Sequence, residues 1–159
     1  MTIRIEAVGS ASGIEEAGRL FAEYAAGLPF SLEYQGFSAE LRGLPGVYSP
    51  PRGAILIAWE GGSAAGVVAV RPMAEAGACE MKRLYVRPAW RGRGVGRALV
   101  EGIVSAARGM GYGVMRLDTS AEMSAARATY ERAGFRECAR YNDDPDPTTV
   151  YYSLDLRRG

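Results

Sequence analysis

The chain has 159 residues, 48% of them hydrophobic and 23% charged, with 19 basic and 18 acidic side chains and a net charge of +1. That length suits one globular domain over residues 1–159, and the even charge lacks the electrostatic footprint of a nucleic-acid binder. There is no histidine, which excludes histidine-based triads and histidine bases, and the two cysteines, Cys79 and Cys138, support neither a disulfide framework nor a zinc site, so no metal is expected. The first residues form no apolar signal core, and no window reaches the roughly 18 apolar residues of a membrane span. A cytoplasmic protein with no membrane partner is the expectation. Every basic residue except Lys82 is arginine.

In chain order, residues 2–8 alternate as a strand with Ile3 and Ile5 on one face. Ser12-Gly13-Ile14-Glu15 reads as a capping box, and Ile14, Ala17, Phe21, Tyr24, Ala25 and Leu28 follow at helical spacing up to Pro29. Ser38 opens a short second helix that Pro45-Gly46 stops, and residues 47–53, with Pro50-Pro51, read as loop. Residues 54–59 and 64–71, joined by Glu60-Gly61-Gly62-Ser63, give a hairpin signal. A strand over 79–86 feeds a glycine-rich loop and a helix to about residue 107, closed by Gly109 and Gly111. Residues 113–119 form another strand. Thr119-Ser120-Ala121-Glu122 reads as a second capping box, for a helix carrying Met123, Ala126, Tyr130 and Ala133 and ended by Gly134. Residues 135–140 and 149–156 read as closing strands around a segment with two prolines and three aspartates. The order β-α-α-β-β-β-α-β-α-β-β predicts an α/β fold, a mixed sheet flanked by helices.

The loop Arg91-Gly92-Arg93-Gly94-Val95-Gly96 sits at a strand-to-helix junction. Glycines there let backbone N–H groups converge, and the helix N-terminus adds the positive end of its macrodipole, which together make an anion cradle. A P-loop needs Lys-Ser/Thr after its last glycine, whereas Arg97-Ala98 follows here. The dinucleotide fingerprint needs another glycine spacing and a βαβ setting, but here a hairpin precedes the loop. Glycine costs about 1 kcal/mol against alanine inside a helix, so Gly96 in the first turn points to close approach of a ligand.

The run Glu80-Met81-Lys82-Arg83-Leu84-Tyr85-Val86-Arg87-Pro88 followed by Arg91-x-x-Gly94-x-Gly96 resembles the GNAT superfamily of acetyl-CoA-dependent N-acetyltransferases. Met123-x-x-Ala126-x-x-x-Tyr130-x-x-x-Gly134-Phe135 resembles that family's closing element, with Met123 where many members carry asparagine. The resemblance spans nearly the whole chain. It implies a GNAT-like, mostly antiparallel sheet and acetyl-CoA as co-substrate. Backbone groups of Leu84 and Val86 would pair with the pantetheine arm as an added strand, and Tyr85 between them is also expected at the cofactor. Arg91, Gly92, Arg93, Gly94, Val95, Gly96 and Arg97 would hold the pyrophosphate, with Arg93 and Arg97 adding charge, and Met123 would touch the pantetheine. The alternative for those arginines is a solvated helix face.

Acetyl transfer to an amine requires loss of a proton from nitrogen, stabilisation of charge on the carbonyl oxygen, and a proton for the departing thiolate. Without histidine, the base must be a carboxylate, a tyrosine, a water chain or a perturbed cysteine. By resemblance, Glu80 is the candidate base, the Leu84 N–H the oxyanion donor and Tyr130 the general acid. The structural alternatives are an ion pair of Glu80 with Lys82, two residues on along the same strand face, and a core tyrosine at 130. Tyr151 and Tyr152 read as sheet packing, and both cysteines as small strand hydrophobes. The acceptor site is expected from Tyr24, Phe30, Tyr34, Gln35 and Tyr48 on one side. Asp143, Asp144 and Asp146 on the other would either attract a cationic amine or form a solvated turn.

The expected function is an acetyl-CoA-dependent N-acetyltransferase that acts on a small-molecule or peptide amine in a ternary complex. A non-catalytic acyl-CoA sensor and a transferase using another acyl-CoA are the alternatives. A homodimer is also an expectation, since dimers are common among proteins of this kind.

Overall fold

A computed structural model describes residues 2–157. Its strands are β1 (Arg4–Ala7), β2 (Ala54–Glu60), β3 (Ser63–Pro72), β4 (Ala78–Val86), β5 (Val114–Thr119), β6 (Arg136–Glu137) and β7 (Val150–Asp155). The helices are α1 (Ala11–Ala26), α2 (Phe37–Arg42), α3 (Val95–Gly109) and α4 (Ser124–Arg132), with short 3-10 turns at Glu33–Gln35, Gly46–Tyr48 and Pro88–Trp90. All seven strands join one sheet in the order β1-β2-β3-β4-β5-β7-β6. Only β4 and β5 run parallel, since α3 crosses over between them, and the other neighbours are antiparallel. The mixed, mostly antiparallel sheet flanked by helices matches the fold class expected from the sequence.

Helices cover both faces of this sheet. On one face, Val95, Leu99, Val100, Ile103, Val104 and Ala107 of α3 pack on Ala65, Val68, Val70, Cys79 and Met81. On the other, Ala17, Leu20 and Phe21 of α1 pack on Ile55, Ile57, Val67 and Ala69. Burial of each such large aliphatic or aromatic side chain stabilises the fold by about 1.5–3 kcal/mol. A central strand buried on both faces reads as a continuous apolar run, as β3 does, instead of alternating. Gly66 of β3 is confined to glycine by close approach: a Cβ there would lie 2.6 Å from the Tyr85 carbonyl oxygen and 3.0 Å from Leu99 Cδ1.

Both expected capping boxes are corrected. The N-cap of α1 is Ser10, whose extended backbone lets Oγ accept the Gly13 N–H at 3.1 Å, while Ser12 already lies inside the helix. Thr119 stays in β5, paired with Val150, so the next helix starts later, with Met123 at its N-cap and no side-chain cap bond. The strand expected over 135–140 shrinks to Arg136–Glu137. Beyond the Cys138 N–H bond to the Tyr151 carbonyl (2.8 Å), the Arg140 guanidinium gathers the carbonyls of Asn142, Asp144 and Asp146, and the chain leaves the sheet as a loop.

Candidate active site

The pairing of β4 with its two neighbours fails on both sides near one point. Toward β3, Val67 faces Tyr85 but Ala69 faces Lys82, so β4 carries one extra residue. That β-bulge includes Arg83 at φ 64°, the only non-glycine with positive φ among the described residues. A left-handed conformation costs a residue with a Cβ about 1–2 kcal/mol. It is held by two 2.9 Å bonds from the Arg83 guanidinium to the Glu40 carboxylate, a third to Gln35 Oε1, and stacking on Phe37 with the guanidinium carbon 5.1 Å from the ring centroid. Toward β5, parallel pairing ends at Glu80 and Arg116. From Met81 onward that edge of β4 has no partner strand.

Alternation along the strand decides which backbone groups the open edge presents. Tyr85 pairs with Val67, and the Arg87 N–H donates to the Ala65 carbonyl at 2.8 Å, so the odd-numbered residues face β3. Leu84 and Val86 therefore turn their N–H and C=O toward the gap. The Val86 carbonyl already accepts Arg91 Nε at 2.9 Å. Within the gap lies a cavity of about 50 Å3 lined by Tyr24, Leu84, Asp118, Thr119, Met123 and Tyr130, among others, and also by Gln35, Lys82 and Arg83. The Tyr130 ring packs edge-on against Phe135, with centroids 6.0 Å apart, and burial pushes its hydroxyl above the usual phenol range.

At the end of the same strand the chain turns into α3. Gly94, at φ 80°, is the N-cap and provides no side-chain cap. The first bond of the helix runs from the Ala98 N–H to the Gly94 carbonyl at 3.0 Å, leaving the amides of Val95, Gly96 and Arg97 without partners inside the helix. A Cβ on Gly96 would meet Val86 Cγ2 at 3.7 Å, an ordinary contact, so protein packing does not require glycine there.

On the α1/α2 side of the bulge a larger cavity, of about 340 Å3, opens. Arg71, Glu80, Lys82 and Arg83 line it from the sheet, Tyr34, Gln35 and Glu40 from the α2 region, and Tyr141, Asn142, Asp143 and Asp144 from the loop before β7. Glu80 is 7% exposed. Its Oε2 accepts the Tyr141 hydroxyl at 2.7 Å, and Oε1 lies 3.9 Å from Arg71 Nε. Burial, and then the charge of Glu80, push the Tyr141 phenol far above its usual range. Tyr34 donates to Asp144 at 3.0 Å and accepts from Gln35 Nε2 at 2.7 Å, and burial raises its phenol to about 12. Gln35, Lys82 and Arg83 line both cavities, so the bulge is where the two meet.

A strand opened on one edge, followed by a glycine turn into an uncapped helix, is a recurring arrangement, and the comparisons with known proteins agree on its owner. The acetyltransferase (GNAT) family model matches residues 20–135. An uncharacterized N-acetyltransferase of Schizosaccharomyces pombe is 37% identical over 157 residues, covering 98% of this chain and 96% of the relative. The chain belongs to the GNAT family of acetyltransferases. A GNAT-family acetyltransferase of Staphylococcus aureus shares its fold with a TM-score of 0.78 at 18% identity, covering 98% of this chain and 99% of that one. A Salmonella typhimurium protein solved with its cofactor acetyl-CoA matches with a TM-score of 0.73 at 16% identity, covering 98% and 95%.

In this GNAT chain the residues singled out from sequence separate into groups. Leu84, Met123 and Tyr130 come together around the smaller cavity, Val86 lies farther along the same open edge, and residues 91–97 form the turn beyond it. Tyr85, expected at the cofactor, faces away from the open edge: its backbone pairs with Val67, and its hydroxyl donates to Glu23 of α1. Arg93 and Arg97 are exposed and paired with Glu60 and Glu101. The Glu80–Lys82 ion pair, weighed as the alternative role of Glu80, does not form among the described residues. Lys82 Nζ bonds Gln35 Oε1 at 3.0 Å, while Glu80 turns to Tyr141.

Of the expected acceptor residues, Tyr34, Gln35, Asp143 and Asp144 line the larger cavity. Tyr24 lines the smaller one instead. Tyr48 is corrected to the core, 1% exposed against Phe21, and Phe30 lies exposed and lines neither cavity. Asp146 is tied to Thr148 and is absent from the lining. Sequence reasoning missed Arg71, Glu40, Arg83, Asp118 and Tyr141. Arg71 carried a signal, as the first charge after an apolar strand and in register with Glu80. Tyr141 carried none, because its approach to Glu80 spans 61 residues of separation. Among the described residues no helix is long and apolar enough to cross a membrane.

Proposed function

We propose that this protein is an acetyl-CoA-dependent N-acetyltransferase that joins donor and primary-amine acceptor in one ternary complex. The observation that carries this reading is the meeting of two cavities across the β4 bulge, one against an open strand edge and one lined by a buried carboxylate. Acetyl-CoA supplies a thioester carbonyl activated toward attack by nitrogen. The unpartnered amides of Val95, Gly96 and Arg97 suit its pyrophosphate, and the open edge at Leu84 and Val86 suits its pantetheine arm.

Glu80 is the base in this reading. It takes a proton from the acceptor ammonium, directly or through one water, while Tyr141 fixes the orientation of its carboxylate. The Leu84 N–H faces the gap and donates to the carbonyl oxygen as negative charge grows there. A new N–C bond forms as the C–S bond breaks. Tyr130, kept neutral by burial, gives a hydrogen bond and finally a proton to the departing sulfur. A phenol raised above 10 is a weaker acid than a thiol near 8.5, so transfer to sulfur is uphill by itself and is completed as the acidic N–H of the newly acylated nitrogen returns a proton to the phenolate.

Free CoA should raise the melting temperature by binding the folded state. Glu80→Gln and Tyr130→Phe should each lower kcat while leaving that shift nearly intact. If both variants instead abolish the CoA-induced shift, the assigned roles are wrong.

A further inference from the structure

The charges in the larger cavity are more mixed than an amine site requires. Three cations and four carboxylates line it: Arg71, Lys82 and Arg83 against Glu40, Glu80, Asp143 and Asp144. Arg83 and Glu40 neutralise each other through two 2.9 Å bonds. Two cations remain with donors to spare. Lys82 Nζ bonds a neutral amide oxygen, Gln35 Oε1, and forms no ion pair among the described residues. Arg71 Nε reaches the Pro72 carbonyl at 3.5 Å and Glu80 Oε1 at 3.9 Å, both at the outer limit of such contacts. The three side chains share one sheet face, with Arg71 in register with Glu80 and Lys82 two residues farther along.

Lysine is also the unusual choice at this point. Lys82 is the only lysine in a chain whose other basic residues are all arginine. It stands where the two cavities meet. A compact ammonium offers a point charge to an anion there.

We propose that the acceptor is a small amino carboxylate, of the free amino acid type, whose carboxylate is bound by Lys82 and Arg71 and whose amine lies at Glu80. The inference rests on the N-acetyltransferase reading and adds the acceptor class. A simple amine or polyamine would place its cation beside two cations that lack full partners. A phosphate or a plain carboxylate would face Glu80, Asp143 and Asp144 with no compensating positive charge of its own. A dipolar molecule satisfies both signs at once, and a cavity of about 340 Å3 suits a molecule of that size. In the reaction the ammonium first gives one proton to Glu80, which passes it to solvent. The free amine nitrogen then bonds the acetyl carbon as the thioester C–S bond breaks. The second proton lost from that nitrogen replaces the one Tyr130 delivers to sulfur, so ammonium and thioester become amide, thiol and one released proton.

The test measures CoA thiol release by the purified protein with acetyl-CoA and two matched panels: amino acids and their α-amides. The amides carry less basic amines, with more free base at neutral pH, so intrinsic reactivity favours them. A preference for the acids therefore reports the carboxylate contact. The expected kcat/KM is at least about tenfold higher for the acid of the best pair, a ratio a single charge-assisted contact can supply. In Arg71→Met, which lies away from the smaller cavity, that ratio should fall toward one through a higher KM for the acid. Amides or alkylamines used as well as the acids would overturn this inference and leave the N-acetyltransferase reading standing. No transfer to the acids would overturn this inference, and loss of the CoA-induced rise in melting temperature would overturn the N-acetyltransferase reading as well.

Discussion

The Arg83–Glu40 pair makes the sharpest prediction, because it holds the bulge where the two cavities meet. The Arg83 side chain is 2% exposed and the Glu40 side chain 13%, with two hydrogen bonds of 2.9 Å between them. In Glu40→Leu the guanidinium keeps only its bond to Gln35 and remains buried without a counter-charge. Breaking a buried pair from one side costs about 3–5 kcal/mol, a large fraction of the about 5–15 kcal/mol that stabilises a typical domain. At about 2–4 °C per kcal/mol for a chain of this size, the melting temperature should drop by about 6–20 °C. Removing both charges in Glu40→Leu/Arg83→Met should return most of that loss, since no orphaned ion remains. Urea unfolding of the four proteins at pH 7 closes a double-mutant cycle, with an expected coupling of about 2–3 kcal/mol. A Glu40→Leu cost below about 1 kcal/mol with coupling near zero is the behaviour of an exposed pair, and would refute the claim that this ion pair fixes the bulge.

Other outcomes follow from local geometry. Gly96→Ala should raise stability by about 0.8–1 kcal/mol, because the new Cβ meets only Val86 at 3.7 Å, whereas Gly94→Ala should lower it by about 1–2 kcal/mol because φ there is 80°; thermal melts of the two variants check the contrast. Cys79 is fully buried and burial raises its thiol to about 12, so a disulfide reagent at pH 8 should modify Cys138 first and reach Cys79 only on unfolding, and Cys79→Ala should retain transferase activity. Burial raises the phenols of Tyr24, Tyr34, Tyr130 and Tyr141, with Tyr34 near 12. In the unfolded chain these groups lose protons from about pH 10, so between there and about pH 12 the folded state binds more protons and stability falls as pH rises. Urea midpoints should hold up to about pH 9 and fall above pH 10, and a flat profile would contradict this burial.

Local pattern carried the order of elements and the glycine turn. The hairpin of residues 54–71, the α3 stripe and the strand into Arg91 are set by apolar spacing and turn chemistry within short windows, and each appears close to its expected bounds. Helix starts were less legible. Ser10 and Ser12 offer the same hydroxyl, and Thr119 could serve a cap or a strand, so the outcome depended on whether neighbouring backbone was already paired. Phe30 lies exposed while Tyr48 is buried in the core beneath α1, a difference of side-chain direction that spacing alone does not encode.

The sequence by itself determined the fold class, the glycine turn into α3 and the stretch of strand that precedes it, because these depend on residues within one or two elements. Tertiary structure decided what Glu80 and Lys82 do. Two residues apart on one strand face, they are natural ion-pair partners, but sheet register brings Arg71 beside Glu80, the loop before β7 brings Tyr141, and the α2 region brings Gln35 to Lys82. Those partners lie 9, 61 and 47 residues away in the chain. Contacts at such separations exist only once the sheet has closed, and they leave a carboxylate and an incompletely matched ammonium facing the same cavity.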